Sequence, residues 1–145
     1  MRKMIIIIVT VFVVASLSTV GLFMLYRVKK LDNGEIAFYK TTQDEHHNWV
    51  TKTLVAVSDD RVQIHARIRG KYPPKQFYKY TYRIEEDSFI FNIYYRYMDT
   101  KEGRDPVIEI MCDTQNIQKV IFEGESGELE ILWDRLDETL GVETW

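Results

Sequence analysis

Met4 to Tyr26 is a run of 23 residues without a charged side chain. As a helix at about 1.5 Å per residue it would span roughly 34 Å, against a bilayer core of about 30 Å. Its first half is dominated by Ile5–Ile8, Val9, Val11, Val13 and Val14. In water such β-branched runs favour strands, but in lipid a single segment can satisfy its own backbone only as a helix. Tyr26 and Arg27 would then fall at the headgroup level, where an amphipathic ring and a snorkelling cation belong. We therefore expect one transmembrane helix.

The competing reading is a cleaved signal peptide, with Arg2 and Lys3 as its basic start and Ser16-Leu17-Ser18 as small residues at a cleavage spacing. Val20 to Tyr26 continue the apolar run past that point, further than a signal peptide needs, which favours a retained anchor. Cys112 is the single cysteine. It allows no intramolecular disulfide and no lipid-modified cysteine after the apolar segment. It ends an apolar strand, where a small buried hydrophobe is the expected role. The apolar run contains no glutamate and no pilin processing motif, so a pilin stem is set aside. Flanking charge nearly ties: Arg2 and Lys3 stand on one side, Arg27, Lys29 and Lys30 on the other. A short basic tail usually stays in the cytoplasm. The expectation is a single-pass protein of the cell membrane with its C-terminal domain outside the cytoplasm.

Charge divides the chain at the same place. Residues 1–30 carry +5 with no acid, while residues 31–145 hold 14 basic and 22 acidic side chains and carry −8. We take 1–30 as anchor and juxtamembrane segment and 31–145 as one β-rich domain, long enough for one core. Its acidity makes nucleic acid a poor partner and pushes the domain off anionic lipid. Leu31-Asp32-Asn33-Gly34 reads as a turn and short linker.

Beyond it the pattern has period two. In Arg61–Arg69, Val62, Ile64, Ala66 and Ile68 point one way, and Arg61, Gln63, His65, Arg67 and Arg69 the other, as in a sheet with one buried face. Thr51–Val57 precedes it across the turn Ser58-Asp59-Asp60. Lys71-Tyr72-Pro73-Pro74 breaks the pattern. Two aromatic-rich strands follow, Phe77–Ile84 and Phe89–Met98. Tyr78, Tyr80, Tyr82 and Ile84 are expected on one face, opposite Phe89, Phe91, Ile93, Tyr95 and Tyr97. After the loop Asp99–Asp105 come Val107–Cys112, Ile117–Phe122 and Glu128–Trp133. With Glu35–Lys40 this predicts an all-β domain of about eight strands, a sandwich or strongly twisted antiparallel sheet. Asp134–Leu140 predicts one or two helical turns.

The closing pattern, Ile117–Phe122, a glycine-containing turn, then Leu129-Glu130-Ile131-Leu132-Trp133, resembles that of small membrane-anchored β-domain proteins of Gram-positive bacteria. Those also carry a tyrosine-rich hairpin upstream. The resemblance implies an envelope location and a β-fold, and it brings no activity with it.

Three features could carry function. His46 and His47 follow Asp44 and Glu45, but adjacent strand residues face opposite ways. Thr42-Gln43-Asp44-Glu45 also fits a helix capping box, and a polar connection between strands is the favoured reading. The tyrosines Tyr72, Tyr78, Tyr80, Tyr82, Tyr94, Tyr95 and Tyr97 could stack on a ligand, though core and sheet surface account for them. The third feature is charge segregation. Arg61, Arg67, Arg69, Lys71, Lys75, Lys79 and Arg83 occur with no acid between Arg61 and Arg83, and 13 acids follow from Asp99 onward. Either the basic and acidic strands pair across the sheet, which is favoured, or Arg61, Arg67, Arg69, Lys71 and Lys75 meet an anionic partner. No nucleophile elbow, zinc motif or phosphate-cradling glycine loop is present, so no catalytic residue, metal or cofactor is assigned. The expected function is a non-enzymatic envelope module that binds a protein or polymer near the membrane. An envelope hydrolase and a structural tether are the alternatives.

Overall fold

The computed structural model describes residues 2–70, 75–97 and 105–137. Helix α1 (Arg2–Tyr26) carries the apolar run. Its stretch Lys3–Phe23 is long and apolar enough to cross a membrane, as a transmembrane anchor or a signal sequence must be, and none of it is buried against the protein. Its hydroxyls are satisfied within the helix: Thr10, Ser16, Ser18 and Thr19 each donate to the carbonyl four residues back at 2.8 Å. That leaves none of these four hydroxyls demanding water.

Twelve strands follow among the described residues: β1 (Lys29–Lys30), β2 (Ile36–Ala37), β3 (Tyr39–Gln43), β4 (Trp49–Thr53), β5 (Val55–Ser58), β6 (Arg61–His65), β7 (Arg67–Ile68), β8 (Lys75–Glu85), β9 (Ser88–Tyr97), β10 (Val107–Met111), β11 (Lys119–Glu123) and β12 (Leu129–Asp134). The domain is mostly β, as expected, but it is built from several sheets. The largest holds β1, β8, β9, β11 and β12; a second runs β10-β6-β5; β2–β7 and β3–β4 form two-stranded sheets.

The period-two reading of residues 61–69 holds in detail. Val62, Ile64, Ala66 and Ile68 are all buried, and they face β9, β11 and β12 across one core. That core includes Phe89, Phe91, Ile93, Val120, Phe122 and Leu132. Phe38 anchors it, with its ring edge-on to Phe91 at 5.6 Å and tilted on Phe122 at 5.0 Å. Burial on this scale is what holds a disulfide-free domain of this size together. Cys112 is half-buried against the core, as its apolar context implies, and burial and Asp113 raise its thiol pKa.

Four expectations need correction. First, the large sheet is mixed rather than antiparallel. β11 lies parallel to β9, with Lys119 opposite Ser88 and Phe122 opposite Phe91. The chain reaches it by crossing to the other sheet through β10, so β11 returns in the direction of β9. Second, the register slips at Tyr78: Phe77 pairs with Tyr95 and Lys79 with Tyr94. Tyr78 is the extra residue of a β-bulge, and Phe77 takes its place beside Tyr80, Tyr82 and Ile84. Third, Thr42–Glu45 does not start a helix. Thr42 and Gln43 lie in β3, and residues 44–48 close a hairpin onto β4.

Fourth, Leu31–Gly34 is no linker. Lys29 and Lys30 pair antiparallel with Tyr95 and Tyr94. Leu31 is fully buried and donates its amide to Ile93 O at 2.8 Å. The turn seen in the sequence is real, a single 3-10 turn at Asn33–Glu35 in which Glu35 Oε2 accepts from Asp32 N at 2.9 Å. The β11–β12 turn clamps it: Glu125 N donates to Leu31 O at 3.1 Å and Ser126 Oγ to Asp32 Oδ1 at 2.8 Å. The domain thus begins three residues after α1 ends. β1 and β11 share one edge of β9 end to end, and β8 takes the other.

Of the remaining expectations, Lys71–Pro74 and Met98–Arg104 lie outside the described residues. In the segment read as helical, Arg135 and Leu136 form a turn, with Asp134 Oδ1 accepting from Leu136 N at 3.0 Å. Residues 138–145 lie outside the described part.

Candidate functional site

The strand predicted as continuous from Arg61 to Arg69 breaks at Ala66, and the break makes a cleft. β6 pairs with β5 and β10, whereas β7 pairs with β2. At the break the backbone bonds elsewhere: Ala66 N donates to Pro106 O at 3.1 Å, His65 N to Leu54 O at 2.8 Å, and Leu54 N to Phe38 O at 2.7 Å. Where the chain changes sheets, β3 stands off from β6–β7 and leaves a cavity of about 440 Å³. Small-molecule sites fall in this size range. Leu54, Ala66 and Pro106 are its apolar part. Tyr39, Lys40, His65, Arg67 and Asp105 supply its polar and ionisable groups.

Hydrogen-bond donors predominate in this cleft. Burial first, and the neighbouring Glu130 carboxylate second, push the Tyr39 phenol up to about 12, so it stays a neutral hydroxyl at physiological pH. Lys40 and Arg67 add ammonium and guanidinium donors. Asp105, the acid in the lining, is held by Arg67 Nε at 3.1 Å. That pair is open to solvent on both sides, so Arg67 is tethered but accessible.

The five basic residues singled out from the sequence do not form one continuous free patch. Arg61 binds Asp60 at 3.0 Å and also Glu109 on the neighbouring strand β10. Lys75 is largely buried in an ion pair with Glu35, and its ammonium lies 4.8 Å from the Tyr95 ring centre. Arg67 lines the cleft. Arg69 follows β7 with an exposed side chain, its amide donating to Glu35 O at 2.7 Å. Lys71 is outside the described residues. Pairing between basic and acidic strands therefore accounts for Arg61, while Arg67 and Arg69 remain outward.

His46 and His47 sit in the β3–β4 turn. Asp44 Oδ1 accepts from His46 N and Asn48 N, both at 2.8 Å, and His47 adopts φ 63°. This is a backbone-satisfying turn. No cluster of three or more histidine, cysteine or carboxylate side chains able to hold a metal occurs among the described residues. The tyrosines divide between core and surface: Tyr95 is buried, Tyr80 and Tyr97 pack at the core margin, and Tyr82 stacks on Phe89 at 5.1 Å while remaining exposed.

A second polar cluster, which no local pattern signals, lies on the outer face of the large sheet. Glu123 at the end of β11 accepts from Arg83 Nη2 at 2.9 Å, Asn92 Nδ2 at 2.9 Å and Lys30 Nζ at 3.0 Å. These donors hold its carboxyl down to about 2, Arg83 contributing most. Four strands meet on this one carboxylate. Its donors are all taken up in holding those strands together, so its role is structural.

Comparison with known protein families, with curated proteins and with solved structures finds no match to this chain.

Proposed function

We propose that the chain is a membrane-anchored protein of the cell envelope whose β-domain, held outside the cytoplasm, binds a protein or polymer partner beside the bilayer without catalysing a reaction. The observation that carries this reading is the donor-rich cleft between β3 and the β6–β7 break. Lys40 and Arg67 present hydrogen-bond donors and positive charge in a space of about 440 Å³, while the Tyr39 hydroxyl is held by Glu130 and the one acid in the described lining is engaged by Arg67. A partner with carboxylate or phosphate groups along an extended chain complements that surface. Arg69 extends the same side of the domain. The uncovered apolar helix supports retention at the membrane, and the resemblance of the closing hairpin to Gram-positive envelope proteins supports the compartment.

The test is mild crosslinking of intact cells, with and without the double substitution Arg67→Glu, Arg69→Glu. The reading expects a specific adduct that the double variant loses while its domain stays folded. An adduct that persists in the folded variant removes the cleft as the contact. Protease added to intact cells should digest the domain; full protection would place it on the cytoplasmic side.

A further inference from the structure

The end of the large sheet nearest α1 differs chemically from the rest of the domain. β1 begins at Lys29, three residues after α1 ends at Tyr26. Three Cα steps reach at most about 11 Å. Lys29 lies opposite Tyr95, and β9 then runs on to Tyr97, back towards the helix. α1 and β9 approach within 8 Å, Cα to Cα. With α1 across a bilayer, this end of the sheet lies at the level where the helix leaves the hydrocarbon.

Tyrosines and cations meet there on both faces of the sheet. Lys29 Nζ lies 5.7 Å from the Tyr97 ring centre, Lys79 Nζ 5.1 Å from Tyr94, and the Arg96 guanidinium 5.1 Å from Tyr78. None of these three cations has a carboxylate partner among the described residues, whereas Lys30 and Lys75 beside them do. Among the described residues, Arg96 Nε is a buried donor with no hydrogen-bond acceptor. Amphipathic rings beside cations are the side-chain chemistry of a membrane interface. The cation–ring contacts hold the long side chains in place without neutralising them.

We infer that this end of the β8–β9 hairpin docks on the anionic phospholipid headgroups of the membrane that α1 crosses. The inference rests on reading α1 as a membrane anchor. Two observations favour lipid as the occupant. The cationic end lies within about a Debye length of the helix end, where the anionic surface potential is still felt. The rest of the domain is acidic, so an anionic surface attracts this end and repels the other. The net charge of −8 over residues 31–145 therefore does not lift the domain away as a whole; it orients the domain, basic end down.

The full chain is reconstituted in nanodiscs of phosphatidylcholine, alone or mixed with phosphatidylglycerol, each containing a lipid with a photo-crosslinker on its headgroup. Labelled peptides are mapped by mass spectrometry. Peptides holding Lys79 and Tyr94–Tyr97 should be labelled several-fold more in the anionic discs, and added salt should remove the difference. Lys29→Gln and Lys79→Gln, which leave the core untouched, should each lower that labelling about five-fold. Equal labelling in both lipids, or labelling indifferent to salt in the unsubstituted chain, overturns the inference while leaving the anchor intact; an acidic protein as the true partner would give that result. Failure of the chain to enter either disc overturns the anchor reading and this inference with it.

Discussion

Lys30 Nζ lies 3.0 Å from Glu123 Oε2, joining a residue four positions after α1 to a strand 93 positions later. The same carboxylate binds Arg83 and Asn92, so it ties β1, β8, β9 and β11 together. Its pKa is depressed to about 2, so its stabilisation is fully present above the ordinary carboxylate value and is lost as pH falls through about 2. Glu123→Gln should cost about 1–3 kcal/mol at neutral pH, because it removes the charge from the bonds to Arg83 and Lys30, while Asn92 Nδ2 keeps its 2.7 Å bond to the carbonyl of residue 123. The difference in thermal midpoint between the variant and the parent should shrink as pH is lowered from about 4.5 towards 2. A difference that stays constant over that range would show that the carboxylate charge is not what holds the strands.

Gly124 opens the turn that clamps the start of the domain. A Cβ there would lie 2.0 Å from Asn33 Oδ1 and 2.5 Å from Asp32 Oδ1. Asp32 cannot swing away freely, since its Oδ1 accepts from both Ser126 N and Ser126 Oγ. Gly124→Ala should therefore destabilise by about 1–3 kcal/mol. It should also speed hydrogen exchange at the amides of Glu125 and Ser126, which bond to Leu31 and Asp32. Alanine at Gly34, where a Cβ meets nothing within 4 Å, is the control and should show neither effect.

What could be read from the sequence was local. Val62, Ile64, Ala66 and Ile68 alternate with polar residues, and the alternation alone places their faces. The β8–β9 hairpin is visible for the same reason, up to the bulge at Tyr78, which no residue type signals. β1 was hidden because Lys29 and Lys30 have no apolar pattern; they are a strand by virtue of the backbone of Tyr94 and Tyr95. The parallel placement of β11 depends on where β10 goes, which periodicity does not encode. The ion pairs of the candidate contact residues were hidden for the same reason. The sequence shows that Arg61 and Lys75 are cationic, but their partners Glu109 and Glu35 come from 48 and 40 residues away. The cleft arises where one strand changes sheets at Ala66, a residue that fits the apolar pattern without a flaw.

Arg67 and Asp105 form a pair that is 75% and 63% exposed. Exposed pairs contribute little to stability. Arg67→Ala should therefore change unfolding free energy by less than about 1 kcal/mol in denaturant titration. A small change means that loss of partner crosslinking in the Arg67→Glu, Arg69→Glu variant can be attributed to the surface and not to unfolding. A change of several kcal/mol would mean that Arg67 supports the break at Ala66, and the crosslinking result would then need Arg69 alone.

Leu31 decides whether the segment after the helix is a tether or part of the fold. In a tether a leucine would be solvated and its truncation harmless. Here the side chain is 0% exposed, its amide donates to Ile93 O at 2.8 Å, and its carbonyl accepts from Glu125 N at 3.1 Å. Leu31→Ala keeps both backbone bonds available and removes only the packed atoms, so its cost reports the burial itself. That cost should be about 2–5 kcal/mol, the range for an enclosed leucine that leaves a cavity. Leu129→Ala, at a site 54% exposed on β12, should cost a small fraction of it. Thermal unfolding of the detergent-solubilised chain, followed by near-ultraviolet circular dichroism, separates the two. If both variants melt with the parent, Leu31 is a tether residue, and the domain hangs from the helix instead of being built onto its end.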